Sequence, residues 1–163
     1  MSKVTLHTNY GDIVIQLHDD RCPETVSHFL ALAEDGFYDG VIFHRVIPGF
    51  IIQAGGYQTG MAKIIATDSV VNEAKSAASN TRGTVAMARL QQPDSATTQW
   101  FINLKDNASL DHKGDQNAGY CVFGEVVEGM EVVDAIAAVE TRRNGMFTDV
   151  PVSDVVIEAV SVG

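Results

Sequence analysis

The chain is poor in the residues that carry covalent and metal chemistry. Of its 163 residues only two are cysteine, one is tryptophan and four are proline. Cys22 and Cys121 lie far apart and form neither a C-x-x-C pair nor a zinc-finger spacing. They read as two reduced thiols of a cytosolic protein, with one disulfide as the alternative. Cys22 precedes Pro23 at a helix start, where a dipole can lower a thiol pKa, but a buried, inert cysteine is the favoured reading. The five histidines, His7, His18, His28, His44 and His112, contain no H-E-x-x-H spacing. His28 reads as a surface residue and His44 as a hydrogen-bonded histidine, either in the core or supporting site residues. There is no G-x-S-x-G elbow and no phosphate-binding glycine loop. Basic residues are also scarce, 11 against 21 acidic ones, for a net charge of −10. A nucleic-acid partner wants a basic face, and an anionic membrane repels such a chain. No apolar run is long enough to cross a bilayer. Met1-Ser2-Lys3-Val4-Thr5 enters an alternating strand with no apolar leader, so the expected location is the cytoplasm. No cofactor or metal is expected.

What is present is a chain of ordinary globular composition, 45% apolar and 20% charged. Its length suits one domain over 1–163, and no feature calls for more than a monomer. Short alternating runs dominate: Val4 to Thr8, Ile13 to Leu17, then 42–47, 51–55, 84–89, 99–104, 120–127 and 155–162. Asn9-Tyr10-Gly11-Asp12 separates the first two as a hairpin turn. Two helices stand out. Pro23 and Glu24 suit a first turn, Val26, Phe29, Leu30 and Ala33 recur at helical spacing, and Gly36 can end the helix. A second helix over about 129–137 shows Val132, Val133 and Ile136 as its stripe. Many strands and two helices predict an antiparallel barrel or sandwich with helices over its ends or faces. The stretches 56–83 and 105–119 read as long loops. Asn107-Ala108-Ser109 matches the glycosylation pattern, which means little without secretion.

Three segments carry the functional interest. In 42–47, alternation groups Phe43, Arg45 and Ile47 on one face. If Pro48-Gly49-Phe50 is a three-residue loop, Ile47 opposes Ile51 and Arg45 opposes Gln53. The glutamine can then hold the guanidinium from the next strand. Arg45 has two readings at this point: an edge arginine snorkelling to water, or a charge aimed into a site. In Thr84-Val85-Ala86-Met87-Ala88-Arg89, alternation groups Val85, Met87 and Arg89. In Gln99-Trp100-Phe101-Ile102-Asn103-Leu104, Trp100, Ile102 and Leu104 read as core. Gln99 and Phe101 face the other way, an amide beside an aromatic on a peptide-binding surface.

The ordered set Phe43-His44-Arg45-Val46-Ile47-Pro48-Gly49-Phe50, Gln53-Ala54-Gly55-Gly56, Gly83-Thr84-Val85-Ala86-Met87-Ala88 and Gln99-Trp100-Phe101-Ile102-Asn103 resembles the cyclophilins, the peptidyl-prolyl cis-trans isomerases. Thr81 to Arg89 looks most like the short bacterial cytosolic branch. The resemblance covers about Val4 to Val162. It implies a closed eight-stranded antiparallel β-barrel with two α-helices and an active site on its outer surface. It also implies Arg45 as the catalytic arginine and Gln53 as its partner. Phe50, Ile51, Phe101 and Leu110 match walls of a proline pocket, and Gln99 matches a peptide-binding glutamine. Ala88 and Arg89 match a strand that holds the substrate through its main chain. Tyr120 stands where many members have histidine, and Ser109 where the family often has tryptophan. Serine lacks the indole area and N–H, so binding of the cyclic peptide cyclosporin is expected to be weakened. The implied partners are proline-containing peptides and unfolded or folding proteins. Rival readings are a proline-peptide holder with little turnover and a barrel that keeps a small apolar ligand inside.

Overall fold

The computed structural model describes residues 2–65 and 68–163; Ala66 and Thr67, inside the expected 56–83 loop, lie outside the described residues. The first strands form as their alternation predicts. β1 (Lys3–Thr8) and β2 (Gly11–Leu17) turn over Asn9-Tyr10, and Val4, Leu6, Ile13, Ile15 and Leu17 are buried on one face. α1 (Pro23–Glu34) follows with proline in its first turn, and β3 (Val41–Ile47) and β4 (Ile51–Gln58) form the next hairpin. A two-residue strand, β5 (Ala62–Lys63), pairs back onto β4. β6 (Thr84–Met87), β7 (Trp100–Asn103) and β8 (Val122–Glu128) come next, then α2 (Met130–Ala137). A two-stranded hairpin, β9 (Thr141–Asn144) with β10 (Phe147–Pro151), precedes β11 (Val156–Val162).

The main sheet runs β3-β11-β1-β2-β8-β6-β7-β4, and β3 also pairs with β4. That last pairing closes eight antiparallel strands into a barrel, with β5 appended to β4. Closure removes the sheet edges that would otherwise invite pairing with other chains. Phe43, Val46, Ile52, Val85, Met87, Trp100, Ile102 and Phe123 fill the interior, none of them more than 2% exposed. A filled lumen leaves no room for an internal ligand, as in other small barrels.

The helices sit at opposite ends of β2. Cys22, which caps α1, donates its N–H to His18 O just past Leu17. Phe29 of α1 meets Tyr38, Trp100 and Phe123 at ring-centroid separations of 5.3, 6.3 and 5.1 Å. α2 starts from Gly129, whose φ of +91° suits glycine and whose missing Cβ lets the backbone rest on Asp12 and Ile13 at the start of β2. Val133 and Ile136 then enter the core.

Two expectations from alternation fail at irregular backbone. Phe43 pairs with Ala54 and Arg45 with Gln53, so β3 advances two residues while β4 advances one. This β-bulge at His44 is why Phe43 and Val46 both enter the core, and Arg45 does not share the face of Phe43. β6 stops at Met87, so Arg89 does not follow Val85 and Met87 inward. The hairpin β9–β10 and β5 were not expected, because both are largely exposed and lack an apolar alternation. His28 is half-buried and bonds to Thr97 O instead of lying free on the surface.

Candidate active site

Register builds the site as one lateral row on the outside of the barrel. Arg45 of β3 lies opposite Gln53 of β4, Gln53 opposite Phe101 of β7, Phe101 opposite Ala86 of β6, and Ala86 opposite Val122 of β8. The neighbours that point inward from the same strands, Val46, Ile52, Trp100, Ile102 and Val85, belong to the interior core. Outside, Ile51, Ala86, Phe101 and Val122 form a second small apolar cluster against Phe50, Leu110 and Tyr120. One sheet thus carries a core on its inner face and a shallow apolar floor on its outer one.

That floor holds a hollow of about 140 Å³. Phe50, Ile51, Phe101, Leu110 and Tyr120 wall its apolar side, and Arg45, Gln53, Ala88 and Arg89 complete it. Gln99 is not in the hollow itself. It lines an adjoining cleft of about 330 Å³ together with Lys63, Leu90, Ser95 and Thr97, and that cleft shares Gln53, Ala88 and Arg89 with the first. The structure therefore brings nine of the ten expected site residues together and puts the tenth beside them.

The polar side is a relay of amides. Gln53 Nε2 donates to Gln99 Oε1 at 2.9 Å, which turns Gln53 Oε1 toward Arg45, whose Nη1 donates to it at 3.2 Å. Gly56 gives Gln99 its place: a Cβ there would come within 2.5 Å of Gln99 Nε2. No ion pair among the described residues neutralises Arg45. His44, beside it, is 6% exposed and packs against Tyr57 at 4.7 Å between ring centroids. Burial, and then the neighbouring Arg45 charge, push the His44 pKa down to about 4, so the imidazole is neutral near pH 7. Its Nδ1 has no hydrogen-bond partner among the described residues, so the expected buried histidine beside Arg45 is held by ring packing on Tyr57.

Arg89, expected to act through its main chain, also places its side chain in the wall. Its guanidinium lies 4.6 Å from the Tyr120 ring centroid, a cation–π contact, and is fixed by Nε to Gly119 O at 3.0 Å and Nη1 to Leu90 O at 2.9 Å. Tyr120 in turn meets Phe101 edge-on at 5.8 Å. The side chain of Arg89 is thus part of the wall, a role alternation could not reveal because β6 ends two residues earlier.

Buried asparagines tie the walls to the barrel. Asn103 Nδ2 donates to Asn80 Oδ1 at 3.0 Å and to Thr84 Oγ1 at 2.9 Å, while Asn107 Nδ2 donates to Asn103 Oδ1 at 2.9 Å and to Phe50 O at 3.2 Å. This network links the hairpin carrying Phe50 to the 3-10 turn at Ala108–Leu110. Asn107 is 4% exposed, so its glycosylation match has no structural room. Burial alone would raise the Asp111 pKa, but hydrogen bonds from Ser79 Oγ, Asn80 N–H and Asn80 Nδ2 outweigh it and hold the carboxyl below its usual range. Sequence reasoning did not find this network, since Asn80 and Asn107 in loops read as turn formers and Asn103 as the end of a strand. A larger hollow of about 390 Å³ lies elsewhere, away from Arg45 and Gln53, and carries His18, Asp20, Arg21 and Glu125 in its wall.

Similarity to known proteins identifies the family. The family described as cyclophilin type peptidyl-prolyl cis-trans isomerase/CLD matches residues 3–162. Peptidyl-prolyl cis-trans isomerase B of Escherichia coli is 55% identical over 161 residues, covering 98% of each chain. A peptidyl-prolyl cis-trans isomerase of Streptomyces antibioticus is 49% identical and covers 99% of each. A crystal structure of a Cryptosporidium parvum cyclophilin type isomerase in the presence of the dipeptide Ala-Pro superimposes with a TM-score of 0.78 at 26% identity, covering 99% of this chain and 98% of that one. The chain belongs to the cyclophilin-type peptidyl-prolyl cis-trans isomerases, enzymes that interconvert the two isomers of Xaa-Pro bonds.

Proposed function

We propose that Arg45 drives the isomerisation by hydrogen bonding to the prolyl nitrogen while the peptide bond is twisted. The barrier to rotation is ~18–20 kcal/mol because resonance makes the C–N bond partly double. Twisting removes that resonance and returns a lone pair to nitrogen. A donor that meets the lone pair only at the twist stabilises the transition state and not the two end states, which is what raises turnover. The observation that carries this reading is Arg45 Nη1 held by Gln53 Oε1 at the mouth of an apolar hollow of about 140 Å³. Phe50, Ile51, Phe101 and Leu110 take the prolyl ring and exclude water, which strengthens the arginine's hydrogen bond. Gln53 is the positioning residue for Arg45. Gln99, in the adjoining cleft, contacts the peptide and orients Gln53. No bond to the substrate forms or breaks, so neither a nucleophile nor a cofactor takes part.

The Ala88 N–H already donates to Gln99 O at 3.0 Å, which leaves the Ala88 carbonyl as its group for an extended substrate backbone. Proline-containing peptides, and unfolded or folding chains that present them, are the proposed substrates. The neighbour crystallised with Ala-Pro supports a proline dipeptide as the minimal occupant. Cyclosporin is proposed as a weak ligand, since the exposed Ser109 offers no indole beside Leu110.

Arg45→Ala tests the mechanism. The expected loss is on the order of 100-fold in kcat, about 3 kcal/mol of transition-state stabilisation, with the fold unchanged. Phe50→Ala, at a half-buried wall, is expected to act on KM instead. A folded Arg45→Ala variant with wild-type kcat contradicts the proposal. Tight binding of a proline peptide without turnover by the wild type supports the peptide-holder reading instead.

A further inference from the structure

The two cysteines, 99 residues apart in sequence, meet inside the protein. Cys22 Sγ and Cys121 Sγ are 3.4 Å apart and share a hydrogen bond, and both thiols are free. A disulfide needs about 2.05 Å. The gap is therefore small, and one thiol sits on the cap of α1 while the other directly precedes β8. Nothing in the isomerase mechanism uses either sulfur. We propose that Cys22 and Cys121 form a reversible disulfide site that senses hydroperoxides and reports to the proline pocket through Tyr120.

The order of events follows from the neighbours of each sulfur. Both cysteines are buried, so the pair admits only an oxidant hardly larger than water. Thr25 Oγ1 lies 3.7 Å from Cys121 Sγ, and the hydrogen bond between the two sulfurs holds the Cys121 thiol below its usual range while pushing Cys22 up. The Cys121 thiolate attacks one oxygen of hydrogen peroxide. The O–O bond breaks, hydroxide leaves and a sulfenic acid remains. Cys22 Sγ then attacks Cys121 Sγ; the S–S bond forms, the S–O bond breaks, and the oxygen leaves as water with the Cys22 proton. In sum, two thiols and one hydrogen peroxide give one disulfide and two waters.

The coupling to the pocket is short. Closing the gap draws Cys121 toward α1, and Tyr120 is its chain neighbour. The Tyr120 ring carries Arg89 at 4.6 Å and meets Phe101 at 5.8 Å. Moving that ring reshapes the wall and not the Arg45–Gln53 pair on the far side, so KM should change more than kcat. This second half rests on the site assignment above; the covalent half does not.

The experiment exposes the reduced protein to hydrogen peroxide, alkylates it after denaturation and weighs the intact chain. The expected product is monomeric, takes up no alkylating agent and has lost two hydrogens, about 2 Da. Dithiothreitol returns both thiols. In Cys22→Ala the sulfenic acid on Cys121 persists and is trapped by dimedone. Two alkylated thiols after treatment, or wild-type Cys121 carried on to a sulfinic acid, overturn the proposal. If Cys22→Ala does not fold, the wild-type mass decides alone. For the coupling, the oxidised enzyme is expected to show a KM for a proline peptide raised several-fold and restored by reduction. A disulfide form with unchanged KM overturns the link to Tyr120 while leaving both the disulfide and the isomerase reading intact.

Discussion

At the residue scale, the site rests on small side chains and neutral groups as much as on its arginine. His44 folds neutral, with its pKa lowered to about 4 by burial and the Arg45 charge. In the unfolded chain it takes up a proton near pH 6.5. Between those values the unfolded state binds the extra proton, so stability falls as pH drops from about 6.5 to about 4 and is indifferent to this group above that window. The loss should total roughly 3 kcal/mol at 1.36 per pKa unit. His44→Phe keeps a ring against Tyr57 and removes the titration. Denaturant melts across that range should then show a flatter pH dependence than the wild type, and parallel curves would contradict the assignment. Gly56 is a second such position. Gly56→Ala must displace Gln99, whose amide would lie 2.5 Å from the new Cβ. The fold should survive, because the atom that yields is the end of a flexible side chain. The relay to Gln53 and Arg45 should not, and kcat is expected to fall about tenfold, the equivalent of ~1.4 kcal/mol. Unchanged turnover would mean that the relay does not set the arginine's position.

At the element scale, the lateral row from Arg45 to Val122 is a consequence of register, and register is what the sequence exposes best. Pro48-Gly49-Phe50 was readable as a three-residue loop, and it places Arg45 opposite Gln53 as expected. All eight barrel strands were legible as alternating or apolar runs, and α1 as a proline-started stripe. The β-bulge at His44 was not, because a single extra residue leaves no mark in a strand whose every member is half-buried or buried. The role of Arg89 was hidden for a related reason: alternation says nothing once the strand has ended. The hairpin β9–β10 carries Arg142, Arg143 and Asp149 and buries little of itself, so it lacks the period-2 signal. The asparagine network holds separate elements together, and long-range hydrogen bonds leave no local pattern. Asn103→Leu would strand Asn80 Oδ1 and one N–H of Asn107 Nδ2 in the interior, the other N–H staying on Phe50 O. The expected cost is roughly 3 kcal/mol from two unpaired buried groups, read by urea denaturation. A loss below ~0.5 kcal/mol would show that the network is not what fastens the Phe50 and Leu110 walls.

At the scale of the whole molecule, a solid barrel forces the chemistry outward. With Trp100 and its neighbours filling the lumen, the surface available for a peptide is the outer face of β3, β4, β6 and β7. There a chain of net charge −10 presents a hollow lined by Arg45 and Arg89 and by no carboxylate. The proposed mechanism needs that local positive charge for an electron-rich nitrogen, against an acidic remainder that favours solubility. The central claim is that this arginine acts on the twisted bond. It is tested most directly by NMR exchange measurements on a saturated Ala-Pro peptide, with wild type and Arg45→Ala side by side and both shown to be folded. The account predicts rapid cis-trans exchange of bound peptide on the wild type and exchange slowed on the order of 100-fold on the variant, with binding retained. Equal exchange on both proteins would contradict it.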